Sequence, residues 1–113
     1  MPTLHELAQE RCRPLRGSEH QLDHAQANSL LNCLPGWQIS ADGVLQKELN
    51  FASYAATLLF VNTVACLAER ENHHPDLEVG YGRVKVSYST HDVGGLSRND
   101  FICAAKIEAL SQF

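Results

Sequence analysis

Asp76-Leu77-Glu78-Val79-Gly80-Tyr81-Gly82-Arg83-Val84-Lys85-Val86-Ser87-Tyr88 is the stretch whose pattern decides the fold. Leu77 and Val79 alternate with polar neighbours before the Gly80-Tyr81-Gly82 break, and Val84, Val86 and Tyr88 alternate after it. Alternation places every second side chain on one face of a strand, so each run has one apolar side. Two such runs around a glycine-rich turn predict an antiparallel hairpin.

A second hairpin lies upstream. Trp37-Gln38-Ile39-Ser40 alternates, Ala41-Asp42-Gly43 is a turn, and Val44 to Leu49 alternates again. Between the hairpins, Ser53 is the expected N-cap of the longest helix. Ala56, Phe60, Val64, Leu67 and Ala68 form its apolar face, and the helix should end near Glu71 with Asn72 as its terminating residue. Ser18-Glu19-His20-Gln21 has capping-box form ahead of Leu22, Ala27, Leu30, Leu31 and Leu34, and Pro35-Gly36 stops that helix. A last helix opens at Ser97-Arg98-Asn99-Asp100 and carries Phe101, Ile102, Ala105, Ile107 and Leu110.

The order is α-ββ-α-ββ-α. It predicts an α+β fold: a four-stranded antiparallel sheet with three helices packed on one face. The 113 residues make one domain, read as 18–113, preceded by a loosely structured lead-in over 1–17. Trp37 and Phe60 are expected in the core.

A formal net charge of −4 disfavours nucleic acid as a partner, because phosphate binding needs a basic face. Arg11, Arg13 and Arg16 are the only basic concentration and read as a solvated segment. The chain begins without a signal-peptide pattern and has no apolar run of membrane-spanning length, so no membrane partner and a cytoplasmic location are expected. Cys12, Cys33, Cys66 and Cys103 show no C-x-x-C pairing. Cys66 and Cys103 fall inside apolar helical patterns and read as buried thiols.

Three histidines stand out. His73 and His74 follow the long helix directly, and Pro75 restricts His74 to extended backbone. His91 is expected to end the last strand. If the second hairpin turns near Tyr81-Gly82, paired residues have numbers summing to roughly 164, which sets His73 opposite His91 and His74 opposite Thr90. Alternation would send His73 and His74 in different directions. Glu69, one helical turn before His73, could orient its ring. Imidazoles with a carboxylate and no nucleophile describe a proton-transfer site suited to elimination, isomerisation or hydration. Each histidine taken singly is more often a bland surface residue; only the set lifts the reading. Metal is disfavoured, because adjacent histidines diverge and H-E-x-x-H spacing is missing. His5, His20 and His24 are expected to face solvent.

Glu69-x-x-x-His73-His74-Pro75, with Tyr81, His91 and Asp100 following, resembles the signature of the pterin-4a-carbinolamine dehydratases. Similarity continues through Leu34-Pro35-Gly36-Trp37, the helix pattern over 51–69, Ser89-Thr90-His91-Asp92 and Gly94-Gly95-Leu96-Ser97-x-x-Asp100.

The resemblance implies the same four-stranded, three-helix fold. It also implies dehydration of a 4a-hydroxy-tetrahydropterin to quinonoid dihydropterin, in recycling of the cofactor of aromatic amino-acid hydroxylases, with no metal and no organic cofactor. It casts His73, His74 and His91 as the catalytic set, His73 and His91 as acid and base and His74 as the orienting member. Asn72, Ser89, Thr90 and Asp92 would contact the pterin, with Glu69 and Asp100 in support. Asn72 departs from the Asp that relatives commonly carry, which puts a charge there in doubt. The resemblance further implies a homodimer or homotetramer. Some family members act as non-enzymatic binding partners, so a scaffold module of the same fold is the alternative.

Overall fold

A computed structural model describes residues 2–110. In chain order the elements are α1 (Leu4–Gln9), α2 (His24–Leu31), β1 (Gln38–Ile39), β2 (Leu45–Asn50), α3 (Tyr54–Glu71), β3 (Asp76–Val79), β4 (Arg83–Tyr88) and α4 (Arg98–Leu110). Short 3-10 turns occupy Ser18–His20 and His91–Val93.

The strands form one antiparallel sheet in the order β1-β2-β4-β3. The alternation seen in sequence decides its two faces. Val84, Val86 and Tyr88 on β4 are fully buried, and Leu45, Leu49 and Leu77 pair with them on that face. Gln46, Glu48, Lys85 and Ser87 point the other way. One core joins the inner face to the helices through Leu30, Trp37, Phe60, Val64, Leu67, Phe101 and Ile107. The predicted α+β fold with its four-stranded antiparallel sheet is the one observed, with four α-helices among the described residues where three were expected.

Two termini position the site. Ser53 caps α3, its hydroxyl accepting from Ala56 N–H at 3.1 Å. At the other end Asn72 is left-handed (φ 52°), while His73 N–H bonds Ala68 O and Asn72 N–H bonds Glu69 O. That is the Schellman closure, in which asparagine can substitute for glycine. It turns the chain sharply just before His73.

Several expectations need correction. Within the lead-in, residues 3–10 carry a capped helix. Thr3 and Glu6 form a capping box on α1, Leu7 is fully buried against α4, and Arg98 makes two hydrogen bonds to the Glu10 carboxylate. The box expected at Ser18 and Gln21 lies instead at Asp23 and Gln26. Leu22 N–H is bonded to Leu96 O, which holds the chain extended and delays the helix. Cys66 is exposed on the outer side of α3, because the buried stripe passes through Val64, Leu67 and Ala68. The hairpin register runs through Asp76↔Ser87 and Val79↔Val84, one residue away from the expected pairing, and β3 starts only at Asp76. His91 opens a 3-10 turn and does not end β4.

Candidate active site

The α3 terminus and the segment after β4 meet at one end of the sheet. Between them lies a cavity of about 270 Å³ walled by Asn72, His73, His74, Ser89, Thr90, His91 and Asp92. All three singled-out histidines and all four expected pterin contacts border it, although His73 and His91 are not a cross-strand pair. A neighbouring hollow shares Ser89, Thr90 and His91 and reaches Asp42 and Gly43. A larger hollow of about 530 Å³ lies near Gln21, Asp23 and Leu96, but its only imidazole is His24. Proton-transfer groups converge at the smaller one.

The buried half of the site is built around Asp100, which is fully buried. Its Oδ1 lies 2.6 Å from His73 Nε2, and its Oδ2 accepts from Ser97 N–H at 2.9 Å and from Thr90 Oγ1 at 2.8 Å. Thr90 and Ser97 hydroxyls are 2.7 Å apart. Thr90 has a single hydroxyl hydrogen and commits it to Asp100, so Ser97 Oγ donates to Thr90. Such a network satisfies a buried carboxylate that would otherwise be costly. With Nε2–H given to Asp100, His73 has Nδ1 left for chemistry.

Tyr88 lies flat against the His73 ring, with centroids 5.5 Å apart and planes at 12°. Burial and the nearby Cys103 thiol push the Tyr88 phenol far above its ordinary range. The ring of His73 is therefore held by a carboxylate on its edge and an aromatic face behind it.

His74 is held differently. Its Nε2 meets Glu69 Oε2 at 2.5 Å, and both side chains are exposed. Glu69 thus serves His74, and not His73 as expected. The left-handed turn at Asn72 swings His73 inward and brings His74 back over α3. The anticipated divergence of the two histidines is real.

His91 sits on a small clasp. Thr90 N–H bonds Gly95 O at 2.9 Å, and Gly94 N–H bonds both Thr90 O and His91 O. Gly94 has φ 79°, which glycine adopts without a Cβ penalty. Val93 is buried and anchors the turn, leaving His91 and Asp92 exposed.

Tyr81 does not line the cavity; it is exposed at the β3–β4 tip and stacks on Tyr54. Tyr88 and Ser97 were not singled out for the site by sequence reasoning. Tyr88 read as one more apolar strand position, and Ser97 as a cap. The S-x-x-D spacing was the available signal for Ser97, since the same Asp100 that caps the helix also meets His73. His5 and His24 are solvent-exposed, as anticipated.

An α+β sheet carrying a histidine-lined cavity, one imidazole backed by a buried carboxylate, defines a small domain equipped for proton transfer. The chain belongs to the family described as pterin 4 alpha carbinolamine dehydratase, whose model matches residues 20–110. A Stenotrophomonas maltophilia (strain K279a) protein named "Putative pterin-4-alpha-carbinolamine dehydratase" is 53% identical over 99% of this chain and 97% of its own. A Xanthomonas euvesicatoria protein of the same name is 53% identical over 97% of this chain and 94% of its own. Among solved structures, a transcriptional coactivator/pterin dehydratase from Brucella melitensis superposes with TM-score 0.76 at 28% identity, covering 80% of this chain and 97% of that one. A pterin dehydratase-like protein, described as a RuBisCO assembly factor in the alpha-carboxysome, matches with TM-score 0.59 at 26% identity, covering 68% of this chain and 90% of that one.

Proposed function

We propose that this protein eliminates water from 4a-hydroxy-tetrahydropterin, giving quinonoid dihydropterin and regenerating the cofactor of aromatic amino-acid hydroxylases. The observation that carries the reading is the convergence of His73, His74 and His91 on one small cavity, with Asp100 behind His73. The 4a-hydroxyl leaves as water once protonated, while the adjacent ring nitrogen supplies the electrons and gives up its proton. An imidazolium acts as acid and a neutral imidazole as base. His73, with Nε2 committed to Asp100, and the exposed His91 take these two parts. His74 orients the ring, and Asn72, Ser89, Thr90 and Asp92 supply polar contacts at its edge. Glu69 and Asp100 hold the imidazoles. These residues suffice for acid–base chemistry without a resident metal or organic cofactor.

The test is direct. A hydroxylase generates the 4a-carbinolamine, and quinonoid product is followed by ultraviolet absorbance with and without the protein. Acceleration over the spontaneous reaction is expected; an unchanged rate refutes the proposal.

A binding role without catalysis is the second reading, favoured by the names of the two structural neighbours, a coactivator and an assembly factor. The same assay separates them, since a pure scaffold leaves the dehydration rate untouched. A homodimer or homotetramer is the expected working form. Tyr54, Leu58 and Leu59 on α3 and Val79 on β3 are exposed apolar groups that association would cover. Analytical ultracentrifugation tests it, and a monomer at micromolar concentration rejects it.

A further inference from the structure

The N-terminal arm brings a thiol to the back of the site. Cys12 lies between α1 and the Ser18–His20 turn, outside regular structure. Its N–H donates to Glu71 Oε1 at 2.8 Å, and its Sγ rests 3.5 Å from Cys103 Sγ and 3.6 Å from Asn99 O. Cys103 is fully buried on α4, one turn after Asp100. The other two thiols are elsewhere: Cys33 Sγ contacts Pro2 O, and Cys66 is exposed on α3.

We infer that Cys12 and Cys103 are a dithiol pair that a small peroxide oxidises to an intramolecular disulfide, fastening the N-terminal arm to α4. A disulfide needs its sulfurs about 2.05 Å apart, so the pair must close by roughly 1.5 Å. Hydrogen bonds to Glu71 and Asn99 hold the backbone at Cys12 and Arg13, and Cys103 is fixed in a packed helix, so the shift comes from rotation of the Cys12 side chain and a small adjustment of its irregular segment.

Cys12 is the thiol that reacts first. Cys103 is fully buried in α4 whereas Cys12 is only half-buried, so Cys12 is the sulfur that a peroxide reaches and the one that attacks. Its thiolate attacks one peroxide oxygen, the O–O bond breaks, and the departing hydroxide takes a proton to become water. The product is a sulfenic acid. Cys103 sulfur then attacks Cys12 sulfur, the S–O bond breaks, and the hydroxyl leaves as a second water with the Cys103 proton. Two thiols lose two electrons and two hydrogens, and one peroxide becomes two waters. A thiol reductant reverses the bond.

The bond would close a loop spanning most of the chain, which restricts the unfolded ensemble and raises stability. It would also form beside Tyr88, the ring that stacks on His73.

The experiment treats full-length protein with stoichiometric hydrogen peroxide, blocks free thiols with an alkylating agent, and maps peptides by mass spectrometry without reduction. Expected are a Cys12–Cys103 linked peptide, Cys33 and Cys66 still alkylated, loss of the link on adding dithiothreitol, and a higher thermal midpoint for the oxidised form. Cys66→Ser should retain the link and Cys12→Ser should lose it. Cys12 recovered as free thiol, as sulfinic acid, or bonded to Cys33 or Cys66 would overturn the inference.

Discussion

His73 Nε2 lies 2.6 Å from Oδ1 of Asp100, a carboxylate with no solvent exposure whose second oxygen is bound by Thr90 and Ser97. The contact joins the end of α3 to the start of α4. A carboxylate in that place holds the imidazole's Nε2 as the donor and leaves Nδ1 outside that bond. Asp100→Asn preserves the shape but puts an amide in place of the acceptor. We expect kcat to fall by up to about 10²–10⁴-fold, the contribution of the acid–base imidazole that Asp100 positions. Steady-state kinetics on generated carbinolamine, with circular dichroism to confirm folding, checks it.

The histidines should separate by role. His73→Ala and His91→Ala are each expected to lower kcat by about 10²–10⁴-fold. His74→Ala should raise KM more than it lowers kcat, because His74, held by the exposed Glu69, is proposed to orient the pterin. His5→Ala should match the parent. Equal losses in all four variants would refute the assignment.

The arm should contribute to stability as part of the fold. Leu7 is completely buried. Leu7→Ala is therefore expected to destabilise the domain by about 2–5 kcal/mol, the usual cost for a core leucine. A free lead-in would show a change near zero. Urea unfolding decides between them.

Acid sensitivity should report on Glu71. Burial opposes its ionisation, but Cys12 N–H, Lys106 and Arg11 outweigh that and hold the carboxyl below its ordinary value of 4.5. A carboxyl that binds its proton less readily folded than unfolded stabilises the folded state when ionised. The contribution is complete above the unfolded value and fades as pH falls through it towards the lower folded value. Glu71→Gln should narrow the gap in thermal midpoint between pH 7 and pH 4, as scanning calorimetry at both pH values would show.

Much of this protein was legible in the residues. Alternation over Leu77–Val79 and Val84–Tyr88 is a local property of the backbone, so the hairpin could be read directly. The caps at Ser53 and Asn72 are equally local, since each satisfies helix groups a few positions away. The cluster of His73, His74 and His91 at one sheet end followed from the hairpin, even with the pairing displaced by a single residue.

Which carboxylate meets which imidazole was decided only by the tertiary structure. Helical spacing sets Glu69 beneath His73, but the left-handed turn at Asn72 ends the helix first and exchanges the partners. Asp100 reaches His73 across a long sequence separation, through the packing of α4 against the sheet. The arm's place, and with it the approach of Cys12 to Cys103, likewise depends on Leu7 burying against α4. Short-range geometry is written in neighbouring residues, whereas contacts between distant segments come from how the buried surfaces fit together.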